Sequence, residues 1–214
     1  LGTSPLHRRR LRGIGPHPLT TAGSAAVATS RTALWRTGTG LVDTRGMHLL
    51  LLADTHVPKR AKALPDKVWD AVSAAGIVIH AGDWVDVALL DELEARSART
   101  IGVYGNNDGP ELRNRLPEIA RAELDGVRLA VIHETGPAQG REARCDRWFP
   151  DTDVLVFGHS HIPWDTTTPG GLRLLNPGSP TDRRRQPHCT YLTAELSGEQ
   201  IGNVVLHRLP PRPG

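Results

Sequence analysis

An α/β protein with mixed sheets and flanking helices is predicted over the C-terminal three-quarters of this chain, on two observations. From residue 48 to 157, short apolar runs alternate with segments of helical spacing, and strands follow to residue 206. Five short polar clusters stand directly behind apolar runs, where the strand ends of an α/β protein converge on one edge.

The elements follow in order. His48–Ala53 is short and apolar enough for a buried strand, with Asp54-Thr55-His56 behind it. Pro65 is placed to open a helix near Asp66–Ala75, where Val68, Trp69 and Val72 share one face. Ile77–Ile79 is the next strand and leads into His80-Ala81-Gly82-Asp83. Val87–Ser97 has helical spacing, with acids early and Arg late. Thr100–Tyr104 is a strand ending in Gly105-Asn106-Asn107-Asp108, and Pro110–Leu116 suits a short helix. Val127–Ile132 is a strand ending at His133, and Arg141–Trp148 reads as helix. Val154–Phe157 is a strand ending in Gly158-His159-Ser160-His161. Leu172–Leu175, Thr190–Leu196 and Ile201–Leu206 are the later strands, the last two spaced as a hairpin through Ser197-Gly198-Glu199.

A chain of 214 residues holds one full domain with a substantial core. Residues 1–46 contain seven Arg, no Lys and one acid, Asp43, leaving 19 basic and 22 acidic residues beyond them. The overall charge of +3 therefore comes from the N-terminal segment and is no sign of nucleic-acid binding by the rest. That segment lacks apolar periodicity and is expected to be a disordered, Arg-rich extension, with residues 47–214 forming the domain. Met47, the only methionine, stands directly before the first strand, so 1–46 reads first as an upstream extension of the reading frame. An unstructured tail comes second and a targeting signal third. Cys145 and Cys189 form no CxxC pair and read as small apolar filler in a reducing compartment. No apolar run reaches membrane-spanning length, and a cytoplasmic location is expected.

The polar clusters supply seven candidate metal ligands: Asp54, His56, Asp83, Asn106, His133, His159 and His161. Oxygen donors mixed with imidazoles, without thiolate, suit manganese, iron, zinc or nickel, and seven donors suit two adjacent ions sharing a carboxylate. Asp54 and His56, two apart, share a face if the chain is extended. Asp83 follows Gly82, which permits a sharp turn, and its two oxygens make it the natural bridge. Each cluster has a bland reading too: a turn Asp beside a surface His, a turn at 105–109, a hydrogen-bonded core histidine at 133. Gly-His-Ser-His at 158–161 is the sharpest signal, since packing poorly explains two histidines one residue apart behind a buried strand.

Taken together, the ordered series D-x-H, G-D, G-N-x-D, H and G-H-x-H, each behind a strand, resembles the calcineurin-like metallophosphoesterase superfamily from about Met47 to Leu209. The small size and Asn176-Pro177-Gly178-Ser179 are similar to its compact phosphodiesterase branch, which includes bacterial and archaeal enzymes and the retromer scaffold subunit. The resemblance implies a four-layer α/β sandwich of two packed sheets. It implies two divalent ions, manganese first, one held by Asp54, His56, Asp83 and His161 and the other by Asp83, Asn106, His133 and His159. The implied activity is hydrolysis of a small-molecule phosphodiester by a metal-bridging hydroxide, with Asp83, Asn106 and His133 acting through the metals. A non-catalytic scaffold of the same fold and a nuclease tethered by the basic arm are the alternatives. Nucleic acid and membrane are not expected as partners, and the oligomeric state is open.

Two departures from the family pattern matter. Asn107 stands where many members have a histidine that serves the leaving group, and it has no titratable proton. Glu134 follows His133 where relatives have glycine. Asp108 is expected to hold the loop or a histidine ligand, and His80 to have a supporting role. Asn176–Ser179 reads equally as a phosphate-facing turn or a structural one. Arg183-Arg184-Arg185 reads chiefly as a solvated charge run, and Arg113 and Arg115 are weaker phosphate candidates. Trp84, Trp148 and Trp164 are candidates for a pocket wall or for core packing.

Overall fold

The computed structural model describes residues 46–210. The expectation for residues 1–46 therefore lies, save for its last residue, outside the described residues. Five strands form the first sheet: β1 (Met47–Leu52), β2 (Ile77–His80), β3 (Thr100–Gly102), β9 (Thr190–Ser197) and β10 (Gln200–Arg208), in the order β10-β9-β1-β2-β3. The second holds β4 (Ile119–Leu124), β5 (Val127–Ile132), β6 (Val154–Phe157), β7 (Trp164–Thr167) and β8 (Arg173–Asn176), in the order β4-β5-β6-β8-β7. β1, β2 and β3 run parallel in the first sheet, with antiparallel β9 and β10 beyond β1; β5, β6 and β8 run parallel in the second, with antiparallel β4 and β7 at its two edges.

Period-two alternation sorts the strand side chains into layers. Leu49, Leu51, Ile77 and Ile79 face Leu129, Val131, Val154 and Val156 across the space between the sheets. Leu50, Leu52 and Val78 face the other way, onto Val68 and Val72 of α1 (Asp66–Ala74) and Leu89, Leu90 and Leu93 of α2 (Val87–Arg96). Ala130, Leu155 and Phe157 are covered by Cys145 of α4 (Arg141–Trp148) and by Phe149. The result is helix, sheet, sheet, helix, the four layers expected. Strands buried on both faces read as continuous apolar runs, as β1, β2 and β6 do. Each fully buried leucine contributes roughly 1.5–3 kcal/mol.

The predicted helices all form, within a residue or so of their expected ends, including α3 (Pro110–Arg115). The hairpin is also present, with Ser197 opposite Gln200. Two strands escaped the sequence reading, β4 and β7, both at sheet edges. β3 is shorter than its apolar run, because Tyr104 N–H leaves the sheet to bond Pro117 C=O at 3.1 Å.

Candidate metal centre

Five loops deliver the candidate ligands, and each leaves the carboxyl end of a parallel strand: β1 for Asp54 and His56, β2 for Asp83, β3 for Asn106, β5 for His133, β6 for His159 and His161. Both sheets thus contribute along one edge. The backbone there is not extended. Asp54 (φ 54°), His56 (45°), Asp83 (62°), His159 (68°) and His161 (58°) all lie in the left-handed region. This corrects the expectation that Asp54 and His56 meet by strand alternation; successive left-handed kinks bring them together instead. Each such residue costs on the order of 1 kcal/mol or more, and clustering of that strain marks a functional site. Backbone bonds fix the kinks: Asp54 N–H to Gly82 C=O at 2.9 Å and His56 N–H to Asp83 C=O at 3.0 Å.

Gly82 turns at φ 86°, and a Cβ there would lie 2.8 Å from both Gly105 N and His133 Nδ1. A Cβ on Gly105 would collide with the Asp83 backbone and carboxylate. Both glycines are required by close approach.

The seven donors converge. Asp83 Oδ2 sits between the two halves of the cluster, 3.6 Å from His56 Nε2 and 3.5 Å from His133 Nε2. On one side His161 Nε2 is 3.2 Å from His56 Nε2 and 3.5 Å from Asp54 Oδ1. On the other, Asn106 Oδ1 is 3.0 Å from both His133 Nε2 and His159 Nδ1. Asp54, His56 and His161 could hold one ion, and Asp54, Asp83 and His133 also group closely enough for one. Asp54, His56, Asp83, His133 and His161 are buried, whereas Asn106 and His159 are exposed, so the centre opens on their side.

The electrostatics fit cations. Asp54 Oδ2 is the only buried side-chain oxygen or nitrogen among the described residues without a hydrogen-bond partner. Burial, opposed by the charge of His133, pushes the Asp54 carboxyl up to about 8. Burial lowers His133, but its bond to Asp83 and the charges of Asp54 and Asp83 outweigh this and raise it. The cluster is short of positive charge, a deficit that a bound dication reverses. Burial raises Asp83 too, but the His133 bond and charge and two Asn107 bonds outweigh it and hold Asp83 well below the carboxylate range. Burial pushes His161 down to about 4, leaving its imidazole neutral.

Supporting bonds aim the rings. His133 Nδ1–H donates to Ala81 C=O at 2.7 Å and His161 Nδ1–H to Asp182 C=O at 2.6 Å, which turns both Nε2 atoms inward. Asp108 holds the loop rather than a histidine, accepting from the N–H groups of Asp83 (3.0 Å), Gly105 (2.7 Å) and Val85 (2.7 Å). Asn107 binds the Asp83 carboxylate through N–H (2.8 Å) and Nδ2 (2.7 Å). His80 is structural: Nδ1 accepts from Gly82 N–H at 3.2 Å, Nε2 meets Thr55 Oγ1 at 3.1 Å, and the ring stacks on Trp84.

Other expectations are settled by partners. Arg113 braces the ligand loop through Gly105 C=O and Asp108 C=O and lines the cavity beside Asn106 and His133, whereas Arg115 pairs with Asp91 and Glu94. Asn176–Ser179 is a structural turn: Gly178 N–H bonds Asn176 Oδ1 at 2.9 Å, and Ser179 Oγ donates to Asp54 C=O at 2.7 Å. Arg183 caps Gln186 C=O and Arg184 faces Asp182 at 3.8 Å, as a surface run would. Trp84 is core, Trp148 is half exposed on α4, and Trp164 lines a cavity. Glu134 is exposed, its carboxylate 3.8 Å from His159 Nε2. The carbonyls of Ala81 and Asp182 and the buried Arg141 were missed; a carbonyl leaves no trace in residue type.

A cavity of about 680 Å3 is lined by Pro65, Lys67, Arg183, Arg184, His188 and Leu209 among others and by none of the seven donors. Two smaller ones flank the centre: about 410 Å3 beside His159 and about 210 Å3 beside Asn106 and His133, with Glu134 shared between them.

Residues 47–199 match the model of the calcineurin-like phosphoesterase superfamily domain. A probable metallophosphoesterase of Methanothermobacter thermautotrophicus is 31% identical over 164 residues, 75% of this chain and 92% of its own. A phosphodiesterase of Methanocaldococcus jannaschii is 27% identical over 128 residues, 54% of this chain and 74% of its own. Among solved structures, a Thermotoga maritima protein is 33% identical with a TM-score of 0.62, covering 76% of this chain and 99% of its own. Vps29 of Entamoeba histolytica complexed with Zn2+ is 22% identical with a TM-score of 0.62, covering 76% and 98%, a likeness of fold.

Proposed function

The chain belongs to the calcineurin-like phosphoesterase superfamily, and on that premise we propose that it is a two-metal phosphodiesterase acting on a small molecule. One observation carries the reading: the Asp83 carboxylate, held anionic, stands midway between two sets of inward-facing donors. Asp54, His56, Asp83 and His161 would hold one cation and Asp83, Asn106, His133 and His159 the other. Manganese is the first choice, with iron, zinc or nickel next, since no thiolate is present to favour a soft ion. When bound, such a pair supplies a water of lowered pKa and positive charge for the equatorial phosphoryl oxygens.

The chain's own residues set the rest. The Ala81 and Asp182 carbonyls keep the two imidazoles in one tautomer with Nε2 free. Asn107 lies at the open side and can donate a hydrogen bond to a leaving oxygen but no proton. A substrate must therefore carry a leaving group that departs as an anion. The two flanking cavities offer room for the two ester arms of a diester.

Metal-dependent hydrolysis of a chromogenic phosphodiester, compared with the matching monoester, tests this reading. Turnover of the diester that chelation abolishes and manganese restores is expected; inactivity with every divalent ion favours a non-catalytic scaffold instead. The likeness of fold to Vps29 suits that second reading, and the full set of seven competent donors weighs against it. No helix among the described residues is long and apolar enough to cross a membrane. A cytoplasmic location remains part of the proposal.

A further inference from the structure

The cavity beside His159 has a feature the metal centre does not use. Arg141, the first residue of α4, lines it while only 5% exposed. Its Nε donates to Thr135 Oγ1 at 3.1 Å, and its guanidinium lies 4.9 Å from the Phe157 ring and 4.8 Å from the Trp164 ring. Among the described residues no carboxylate pairs with it. A buried guanidinium without a counter-ion is costly. Burial, opposed by Cys145 and aided by the charge of Arg144, already lowers its pKa. Arg144 differs: it donates to the carbonyls of Thr135, Pro137 and Gln139 and so pins the loop that walls the cavity. Pro137, Ala138, Ile162 and Trp164 give the cavity an apolar wall, with Thr135, His159 and Ser160 also lining it.

We propose that this cavity binds one ester arm of the substrate, an arm with an apolar body and an anionic end that pairs with Arg141. The inference rests on the phosphodiesterase reading for the identity of the ligand. The guanidinium lies against two rings and has only Nε engaged, which leaves its two terminal nitrogens as a fork that suits a carboxylate or phosphate. Glu134, exposed at the rim, repels a second anion there, so the anion's place is the floor of the cavity. Specificity follows: the enzyme selects diesters by a charge remote from the scissile bond.

Two measurements on the full chain separate this inference from the reading beneath it. In the first, Trp164 fluorescence is titrated with benzoate and with benzamide, the same body with and without charge, and Trp164→Phe identifies the signal. Benzoate is expected to bind about tenfold tighter or more, the scale of a charge-assisted hydrogen bond, and Arg141→Gln to erase the difference, with Arg141→Lys restoring part of it. Equal binding of the two ligands by the unsubstituted chain overturns the proposal and needs no variant to fold. In the second, the metal-loaded chain is given 4-nitrophenyl 4-carboxyphenyl phosphate and its 4-carbamoylphenyl analogue. A lower KM for the carboxylate at similar kcat supports Arg141 as a specificity residue, and equal KM values contradict it. If neither diester turns over while benzoate still binds selectively, the phosphodiesterase reading fails and the anion site stands.

Discussion

Asp83 faces both halves of the centre. Its carboxylate is kept anionic although buried, because His133 and the two Asn107 bonds outweigh desolvation. Asp83→Asn replaces one anionic oxygen by an amide nitrogen that cannot bridge cations. Turnover should fall by about a hundredfold or more, and metal content should drop with it. Wild-type values for both would sink the bridging role. Asn107 carries the second prediction at this scale. Without an acid, rate should depend steeply on leaving-group pKa across a series of diesters. Asn107→His should flatten that dependence and raise monoester turnover, since the ring would stand beside Asp83 at the open side. A flat dependence in the unsubstituted chain would mean that another group supplies the proton.

Elements decide which of these residues were legible in the sequence. β1, β2 and β6 are buried on both faces and announce themselves as apolar runs, so the clusters behind them could be placed at strand ends. β4, with Arg121 and Glu123 in its middle, and β7, reading Trp-Asp-Thr-Thr, are held by edge pairing to β5 and β8 and carry no such run. The side chains of the site were readable because ligand chemistry restricts residue type. The left-handed turns at Asp54, His56 and His161 were not, because no glycine marks those positions. His80, at the end of β2, gives an element-scale test. Burial first, then the charge of His133, keeps it far below its ordinary value, against the pull of Asp83. Its neutral ring accepts from Gly82 N–H, a bond lost on protonation. A histidine whose folded pKa is depressed contributes stability above the unfolded value of about 6.5, and that contribution is lost as pH falls below it. Through His80 the metal-free protein should therefore lose stability between pH 7 and 5, in the same sense as His161, while Asp54 and His133 act in the opposite sense, so a His80 variant is needed to isolate its share. His80→Phe, which can still stack on Trp84, should melt lower at pH 7 but lose less on acidification. An equal pH slope in the two proteins would remove His80 from the account.

For the whole molecule, the question is how much of the chain the activity needs. The two sheets, their covering helices and all seven donors lie within residues 47–210. β1 begins at Met47, and among the described residues its side chains are covered by β5 and β6 on one face and by the α1–α2 layer on the other. Residues 1–46, with seven Arg, one acid and little apolar patterning, offer scant surface to bury. They are therefore proposed to be dispensable for folding and for turnover of small substrates. A chain beginning at Met47 should match the full chain in melting temperature and in kcat/KM for a chromogenic diester. A drop of several degrees would place part of the segment on the domain and move the boundary upstream. If only salt-sensitive binding to polyanions is lost, the segment acts as an electrostatic tether, because its arginines are not offset by acids and neutralised phosphates release counterions. That outcome would shift the substrate from a small diester toward a nucleic acid, while leaving the metal ligands and their geometry as they stand.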